Sequence, residues 1–362
     1  MRIAIIHDYL NQFGGAERVV LALHELFPDA PIFTSIFDRS KMPPEFMKMD
    51  IRTSFMQNIP GIFKYFRHYF FLYPLAFRGF DLNGYDVVIS SSSAFAQGIK
   101  TTKDQLHVCY CHTPARFLWD FDEYIEKEEL GWVKKNILRV VHPILKQNDL
   151  ETSKRVDFFI ANSKITSNRI KTFYGRESQI IYPPVNTNYF TPGDFQEEYF
   201  LAVGRMVTYK RYDLVIEVFN ELNLPLKIIG TGPAITSYKK MAGGNIEFLG
   251  KIGDNELRKY FAGCRALIWP EKSDLGLVPL EASASGRPSI AFGGGGAGET
   301  VIEGLNGVVF HEQSKDALKT ALKRFKCMEF DKQAICEHAK KFDAKIFKTK
   351  MRDLIEDITD EN

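Results

Sequence analysis

Short apolar runs alternate with amphipathic stretches along most of this chain. Residues 2–6, Leu106–Cys111 and 226–230 are apolar runs that end in glycine or polar residues, which is typical of buried strands. Between such runs, apolar residues recur at helical spacing, as they do within 214–222. Because strand and helix patterns take turns, the sequence predicts an α/β fold with doubly wound sheets.

The alternation pauses near the middle of the chain and then restarts. Tyr182-Pro183-Pro184-Val185 ends the first half, and the turn-rich residues that follow, up to 195, predict a linker. A length of 362 residues suits two domains of ordinary size. We therefore predict one domain over residues 1–183 and a second over 184–340, with a cleft between them.

The stretch 266–300 is the most informative part of the chain. It predicts a strand, the loop 271–276, a helix with Pro279 in its first turn, a second strand at Ser289–Phe292 and a glycine-rich loop. In such a βαβ unit both strand-end loops lie on one edge of a parallel sheet. That edge is where open α/β sheets bind ligands.

Glu281 is the only charged residue between Asp274 and Arg287, on a helix of small and apolar residues. A buried carboxylate needs a partner. One interpretation is a structural salt bridge, and the other is that Glu281 binds the ribose of a nucleotide. In the second case the backbone N–H groups of Leu275, Gly276 and Leu277 would face a phosphate.

Two cations are expected at the same sheet edge. Arg205 and Lys210 lie on the loop that leaves the first strand of the second half. A surface pair is the simpler interpretation, but cations beside a helix N-terminus can bind a diphosphate. One nucleotide ligand would explain these two cations and Glu281 together.

The first half carries two further candidates. A glycine turn with Gly14 and Gly15 follows the first strand and opens a helix, which can cradle an anion or a sugar, although it lacks the dinucleotide-binding G-x-G-x-x-G spacing. His112 stands where a strand ends, before a loop with Pro114 and Arg116. It is either a structural histidine or a site residue.

Residues 62–80 carry nine aromatic residues together with Lys64, Arg67 and Arg78, and no acidic residue. This composition is typical of a segment that lies on an anionic membrane surface, but a Phe-rich core helix would look the same. A second basic stretch without acidic residues, 132–146, is either another basic face or a solvated helix.

Composition excludes several classes. A net charge of +2 gives no reason to expect nucleic acid, and five scattered cysteines favour a reducing compartment over a disulfide framework. We interpret Cys109 and Cys111 as core residues. The first residues predict a strand and not a signal peptide, and no run reaches the ~18 apolar residues that span a membrane. We therefore expect a cytoplasmic protein.

A set of motifs resembles a known family. Gly204-Arg205-x4-Lys210, Gly230-Thr-Gly232-Pro233, Phe248-Leu249-Gly250, Gly276-Leu277-Val278-Pro279-Leu280-Glu281-Ala282 with Gly286-x-Pro288, Gly294-Gly295 through Glu299-Thr-Val, and Asn306-Gly307 are similar to those of the retaining group 1 (family 4) glycosyltransferases of GT-B architecture. Gly14-Gly15-Ala16-Glu17 and Cys111-His112-Thr113-Pro114 extend the resemblance to the first half. It implies two Rossmann-like, doubly wound domains facing a central cleft, and a C-terminal helix over 341–362 that packs back toward the first domain.

The resemblance also implies roles for residues. Arg205 and Lys210 would hold the donor diphosphate, with Gly204 and Gly232 in the loops around it, and Glu281 would bind the ribose. Leu275, Gly276 and Leu277 would donate N–H groups to phosphate and sugar, and the main chain at Ile252 would meet the base. His112 would contact the donor sugar near C6, and Gly14 and Gly15 would approach from the opposite side.

The chain departs from the family at one position. The family usually has a sugar-contacting glutamate eight residues before Glu281, where this chain has Ser273, followed by Asp274. One of these two residues substitutes for it, or sugar selectivity differs. Asp120-Phe121-Asp122 has the letters of a metal site but lies in the first half, and we predict catalysis without a metal or other cofactor, since Arg205 and Lys210 can do the ion's work.

The resemblance is to bacterial mannosyltransferases that build lipopolysaccharide or O-antigen on a lipid carrier. The expected function is therefore transfer of a hexose, with mannose from GDP-mannose favoured, to a lipid-linked or lipopolysaccharide glycan, with retention of configuration. We expect the enzyme at the inner face of the plasma membrane. The alternatives are a UDP-sugar-dependent transferase, an epimerase or phosphorylase of the same fold, and a non-catalytic glycan- or membrane-binding relative.

Overall fold

The fold is known from a computed structural model that describes residues 1–122, 125, 132–193 and 197–360. The chain divides into two compact units, Met1–Pro183 with Lys348–Asn362, and Pro184–Phe347. Each unit has one parallel sheet with helices, of seven strands in the first unit and six in the second. The α/β class and the two Rossmann-like, doubly wound domains are therefore confirmed.

The sheet of the first unit has the strand order β3-β2-β1-β4-β5-β6-β7, and its neighbours pair in parallel. Its strands are β1 (Ile3–His7), β2 (Ile32–Thr34), β3 (Ile51–Thr53), β4 (Val87–Ser92), β5 (Leu106–Cys111), β6 (Phe158–Ala161) and β7 (Gln179–Ile180). Its helices are α1 (Gly15–Leu26), α2 (Ile62–Tyr65), α3 (Tyr73–Arg78), α4 (Arg116–Trp119), α5 (Trp132–Ser153) and α6 (Lys164–Tyr174). Short 3₁₀ turns occupy Arg39–Lys41, Pro44–Lys48, Phe55–Asn58, Phe66–Tyr69 and Ala96–Gly98.

The sheet of the second unit has the order β10-β9-β8-β11-β12-β13. Its strands are β8 (Phe200–Val203), β9 (Leu226–Ile229), β10 (Ile246–Gly250), β11 (Ala266–Trp269), β12 (Ser289–Phe292) and β13 (Gly307–Phe310). Its helices are α7 (Tyr212–Leu222), α8 (Ile235–Met241), α9 (Asp254–Gly263), α10 (Leu277–Ala284), α11 (Ala297–Thr300), α12 (Lys315–Lys326) and α13 (Lys332–Lys340), with a 3₁₀ turn at Thr208–Lys210. Strand order reverses between β8 and β11, so the loops that follow these two strands flank the switch point where such sheets bind ligands.

Apolar side chains cover both faces of each sheet. In the second unit, one buried cluster includes Phe200, Phe219 and Ile290, and another includes Leu201, Phe261 and Trp269. Because neighbouring strand residues such as Phe200 and Leu201 point to opposite faces, the two clusters lie on the two sides of the sheet. Because both faces of this sheet are covered, its central strands β8 and β11 contain only apolar residues.

The two units divide at Pro183 and Pro184, and the turn-rich segment that follows packs onto the second unit. Val185 pairs with Asp343 as an isolated parallel bridge, and its N–H donates to the Phe342 carbonyl oxygen at 3.0 Å. Phe190 is buried and meets the Phe261 ring edge to face at 5.6 Å. The segment has little regular secondary structure, but its apolar residues pack onto the second unit. The part of the predicted linker at 194–195 lies outside the described residues.

The C-terminal helix expected over 341–362 is α14 (Ala344–Asp360), and it has one apolar face. Phe347, Met351, Ile355 and Ile358 are buried, as the helical spacing of these residues predicts. Within the first unit, Lys348 Nζ lies 2.5 Å from Glu25 Oε2 on α1. Within the described ranges, no helix combines the length and the apolar character that crossing a membrane requires.

Candidate functional site

The loops at the carboxyl edge of the second sheet carry most of the candidate residues. Strands β8 and β11 are parallel neighbours, with Leu201 opposite Leu267, so the loops that follow them leave the sheet side by side. The loop after β8 contains Gly204, Arg205 and Lys210, and the loop after β11 runs over 271–276. The switch point of the sheet therefore has a basic loop beside the loop that begins α10.

An ion pair joins these two loops. Lys210 Nζ lies 2.7 Å from Glu271 Oε2, and the two side chains are only 16% and 7% exposed. The ammonium group also lies 5.3 Å from the centre of the Trp269 ring. Burial, and then the charge of Glu271, raise the pKa of the nearby Tyr212 hydroxyl well above its usual range. Arg205, in contrast, is exposed.

Glu271 pairs with a candidate site residue, and the sequence analysis did not single it out. The sequence shows an acidic residue two positions before Ser273, but the spacing does not show which carboxylate folds onto the lysine. The signal that could have found it is a charged residue directly after the buried run Ala266–Trp269 and Pro270. A charge there lies at the carboxyl end of a central strand, where ligand-binding residues occur.

The glycine at 232 is needed where two strand-end loops touch. The Met206 N–H donates to the Thr231 carbonyl oxygen at 2.9 Å, and the Ala234 N–H donates to the Met206 carbonyl oxygen at 3.1 Å. A Cβ atom on Gly232 would lie 2.2 Å from that same Met206 oxygen. Gly232 therefore keeps the basic loop after β8 close to the loop after β9.

The glycine run after β12 likewise allows close contact, here with the loop 271–276 that follows β11. The Gly296 N–H donates to the Ser273 carbonyl oxygen at 2.7 Å, and a Cβ atom on Gly296 would lie 2.1 Å from the Asp274 carbonyl oxygen. The Trp269 indole N–H points at Ser273 Oγ at 3.4 Å. Ser273 and Asp274 are both half-buried. The loop that leads into α10 is thus held by the glycine run and by the Trp269 side chain.

Helix α10 carries Glu281 in a buried position. Gly276 precedes the helix with φ of +91°, a conformation that favours glycine. Leu275 and Gly276 are buried, Leu277 is half-buried, and Glu281 is only 3% exposed. The N-terminus of α10 therefore lies at the carboxyl edge of the sheet, one turn from a buried carboxylate, in a position suited to an anionic ligand. Ile252, on the loop after β10, is half-buried against the same core.

The first unit gathers its candidates at the carboxyl edge of its own sheet. His112 follows β5, and its main chain is held at both ends, by an N–H bond to the Ser92 carbonyl oxygen at 2.8 Å and a bond from Thr166 Oγ1 at 3.1 Å. Its Nε2 lies 2.8 Å from Ser91 Oγ. Burial, and then the neighbouring His7, lower the pKa of His112 to about 3, so the ring is neutral at physiological pH.

The glycine turn is tied to the helix it opens. Gly14 precedes α1, and its N–H donates to Glu17 Oε2 at 2.8 Å. Gly14 and Gly15 are half-buried, whereas Glu17 is only 2% exposed. Glu17 thus satisfies a backbone group at the helix start that would otherwise need water or a ligand.

Asp8 is a second residue that the sequence analysis did not single out. Its carboxylate accepts four backbone N–H bonds, from residues 93, 94, 95 and 96, at 2.6 to 3.1 Å. Asp8 is 1% exposed and follows β1 directly. It fixes the loop after β4 and so the position of the serine run that contacts His112.

Asp120, from the possible metal motif, and the two cysteines of β5 have surroundings that the structure describes. Asp120 is held by Arg169 through two bonds of 2.8 and 3.2 Å, so its carboxylate has a structural partner. In the part of the chain that the structure describes, no group of three or more His, Cys, Asp or Glu residues is arranged to hold a metal ion. Cys109 and Cys111 are buried core residues, as predicted.

Comparisons with known proteins agree with this architecture. Residues 13–189 match the family described as Glycosyltransferase Family 4, and residues 191–343 match Glycosyl transferases group 1. An uncharacterized glycosyltransferase of Methanocaldococcus jannaschii is 29% identical over 52% of this chain and 55% of its own length. A GDP-mannose-dependent alpha-(1-6)-phosphatidylinositol monomannoside mannosyltransferase of Mycolicibacterium smegmatis is 28% identical over 54% of this chain and 57% of its own length. The chain thus matches little more than half the length of these two relatives.

A solved structure extends the likeness to the whole chain. Anabaena HepE in complex with UDP and glucose superposes with a TM-score of 0.71 over 98% of this chain and 99% of HepE, at 15% identity. At that identity the likeness concerns the fold alone. The two family matches adjoin one another and together take in both units, so the chain belongs to the group 1, family 4 glycosyltransferases with the GT-B fold.

Proposed function

We propose that this chain is a retaining glycosyltransferase that moves a hexose from a nucleotide sugar to a glycan acceptor. The family membership supports the reaction class. The observation that carries the proposal is the grouping of Lys210, the α10 N-terminus and the buried Glu281 at the switch point of the second sheet. A diphosphate and a ribose are the ligand groups that such an arrangement suits.

In this proposal the second unit binds the donor. Arg205 and Lys210 neutralise the diphosphate, the backbone N–H groups of 275–277 meet phosphate and sugar, and Glu281 accepts hydrogen bonds from the ribose. The main chain at Ile252 meets the base, and Ser273 or Asp274 meets the sugar. Charge that builds on the leaving diphosphate is stabilised by fixed cations and the helix dipole, so the proposed reaction needs no metal ion.

In the first unit we propose that His112 contacts the donor sugar and that the turn with Gly14 and Gly15 meets the sugar or the acceptor.

The donor that we favour is GDP-mannose, which the Mycolicibacterium smegmatis relative uses according to its name. A UDP-sugar is the alternative, since the HepE structure contains UDP and glucose. The favoured acceptor is a lipid-linked saccharide or lipopolysaccharide.

The test is transfer of radiolabel by the full chain. Purified protein is incubated with labelled GDP-mannose or labelled UDP-glucose and a bacterial lipid extract, and label is followed into the lipid phase. We expect transfer from GDP-mannose that is lost in Lys210→Ala and Glu281→Gln and kept in Lys323→Ala, an exposed lysine late in α12. Release of sugar phosphate only with added phosphate would instead indicate a phosphorylase, and a free epimer would indicate an epimerase. Label that stays on intact donor with every extract would favour a non-catalytic relative.

We also propose that the acceptor is met at a membrane surface. The segment 62–80 contributes Ile62, Tyr73 and Phe77 to the core, while other apolar side chains of the segment face solvent. The exposed ones are Phe63, Tyr65, Phe71 and Leu75, which are 42%, 44%, 56% and 64% exposed. We call these three aromatic residues, together with Leu75, the aromatic surface.

A neighbouring helix continues this surface. On α5, Ile137, Val140 and Ile144 are 53%, 73% and 70% exposed and are spaced to share one helix face. Arg78 on α3 donates to Asn148 on α5, which joins the two segments. Lys64, Arg67, Arg78, Lys135, Arg139 and Lys146 supply the basic charge that anionic headgroups attract. On this basis we propose a peripheral position at the inner face of the plasma membrane, in the cytoplasm.

Vesicle co-sedimentation tests the membrane contact separately from transfer. We expect the protein to sediment with vesicles containing anionic lipid, and the double variant Phe71→Ser with Leu75→Ser to stay in the supernatant. Ile302→Ser is the matched control, because Ile302 is also an exposed apolar residue, at 44%, but lies in the second unit. Equal sedimentation of all three proteins would contradict a membrane role for the aromatic surface.

A further inference from the structure

One serine hydroxyl links two buried histidines in the first unit. His7 ends β1 and lies opposite Ser91 on β4 in the parallel register. Its Nδ1 is 3.1 Å from both the carbonyl oxygen and the Oγ of Ser91. Ser91 Oγ is in turn 2.8 Å from His112 Nε2. Ser91 and His7 are at most 1% exposed, and His112 is 9% exposed.

The carbonyl group fixes the direction of the bond from His7. A carbonyl oxygen only accepts, so His7 Nδ1 must carry the proton that points at Ser91. The Ser91 hydroxyl can then accept from His7 and has its own proton for His112 Nε2. With the hydroxyl proton on this bond, His112 Nε2 is the acceptor, and a neutral His112 carries its proton on Nδ1. The neutral state agrees with the burial of the ring and with its edge contact to Tyr110 at 5.2 Å.

The network continues to the glycine turn. Glu17 Oε1 lies 3.7 Å from His7 Nε2, and Glu17 Oε2 accepts the Gly14 N–H at 2.8 Å. A single chain of contacts thus runs from Gly14 through Glu17, His7 and Ser91 to His112. Each member is buried or half-buried, so none can be exchanged freely for water.

We propose that Ser91 is a positioning residue that fixes His112 in its Nδ1–H tautomer, and that Glu17 and His7 hold Ser91 in this state. His112 then presents a hydrogen-bond donor, and not a base, to an oxygen of the ligand. Glu17 also orients the turn at Gly14, so the two candidate contacts of the first unit are set by one network. The part that concerns the ligand rests on the proposed transferase function, whereas the tautomer does not.

The tautomer is tested by NMR on the full chain labelled with ¹⁵N-histidine. Long-range ¹H–¹⁵N spectra distinguish a protonated Nδ1 from a protonated Nε2, and the His112→Gln variant assigns the signal. We expect neutral His112 with Nδ1–H in the wild type between pH 6 and 8, and in Ser91→Thr, which keeps the hydroxyl. In Ser91→Ala we expect Nε2–H to appear, because the partner that required a bare Nε2 is gone. An Nε2–H signal in the wild type overturns the proposal without any variant.

The functional part is tested by a double-mutant cycle on transfer. Losing one hydrogen bond that orients His112 is expected to lower kcat/KM about three- to tenfold in Ser91→Ala, with Ser91→Thr restoring most of it. In a His112→Gln background, Ser91→Ala should have no further effect, because the residue it positions is absent. Equal losses in both backgrounds would mean that Ser91 acts only on stability. If no transfer is found at all, the proposed function fails while the NMR result still decides the tautomer.

Discussion

Variants of the ion pair between Lys210 and Glu271 are expected to change the stability of the protein and its transfer activity separately. Replacing Lys210 by alanine removes the cation from a carboxylate that is only 7% exposed. Breaking a buried pair from one side costs about 3 to 5 kcal/mol, because the remaining charge loses its partner. Since Lys210 is itself 16% exposed and water can partly replace it, we expect the lower end, about 3 kcal/mol.

The assay compares thermal unfolding and transfer in the wild type and two variants. For a unit of this size, about 3 kcal/mol corresponds to a fall in Tm of roughly 6 to 12 °C in Lys210→Ala. Glu271→Gln in the Lys210→Ala background removes the buried charge and should restore most of that fall. Transfer should stay lost in the double variant, because the diphosphate still lacks its ammonium group. A double variant that unfolds as early as Lys210→Ala, or one that regains transfer, would refute this reasoning.

Three further predictions address other parts of the fold. In Gly232→Ala the new Cβ atom would lie 2.2 Å from the Met206 carbonyl oxygen, so we expect a large loss of donor binding and a lower Tm; donor affinity equal to that of the wild type would contradict the close approach. Asp8→Asn replaces one acceptor oxygen with an NH₂ group that faces backbone donors, so urea unfolding should show a loss of about 2 kcal/mol or more, and an unchanged midpoint would count against the loop-fixing role. Burial lowers the pKa of His107, as of His112, to about 3, so the unfolded chain takes up protons below pH 6.5 that the folded chain does not, and stability falls as the pH drops from 6.5 toward 3. In His107→Gln that fall should be shallower by about 1.4 kcal/mol per pH unit, and parallel pH profiles for the two proteins would be the contrary result.

The sequence was a good guide to the parts of the fold that local pattern specifies. Buried strands such as β5 and β12 were predicted with the observed limits, and β1 was displaced by one residue. The strands β2, β3 and β13 were not predicted. The first two have three residues each, too few to show a periodicity, and pairing with neighbours in the sheet makes them strands.

The candidate site was predictable only in part, for a related reason. Lys210 and Glu281 stand out because each is a charge at a sheet edge or on an apolar helix. Ser91 does not, because a serine run after an apolar strand looks like a polar loop. Its role depends on the register that sets it opposite His7, and on a contact with a residue 21 positions away. Such cross-strand pairs are fixed by tertiary structure, which a single sequence does not display.

Glu271 changes the electrostatics that the sequence suggests for the donor site. From the motifs alone, Arg205 and Lys210 are two positive charges, but the carboxylate 2.7 Å from Lys210 balances one of them. A diphosphate would therefore meet a neutral pair, an exposed guanidinium and the α10 N-terminus, with less net positive charge than two cations provide. Binding must then draw on the direction of the ammonium N–H groups as well as on charge. Glu271→Gln tests this: it should tighten the binding of a nucleoside diphosphate, measured by calorimetry, and the tightening should shrink at high salt. Weaker binding would show that Glu271 serves chiefly to hold Lys210 in place.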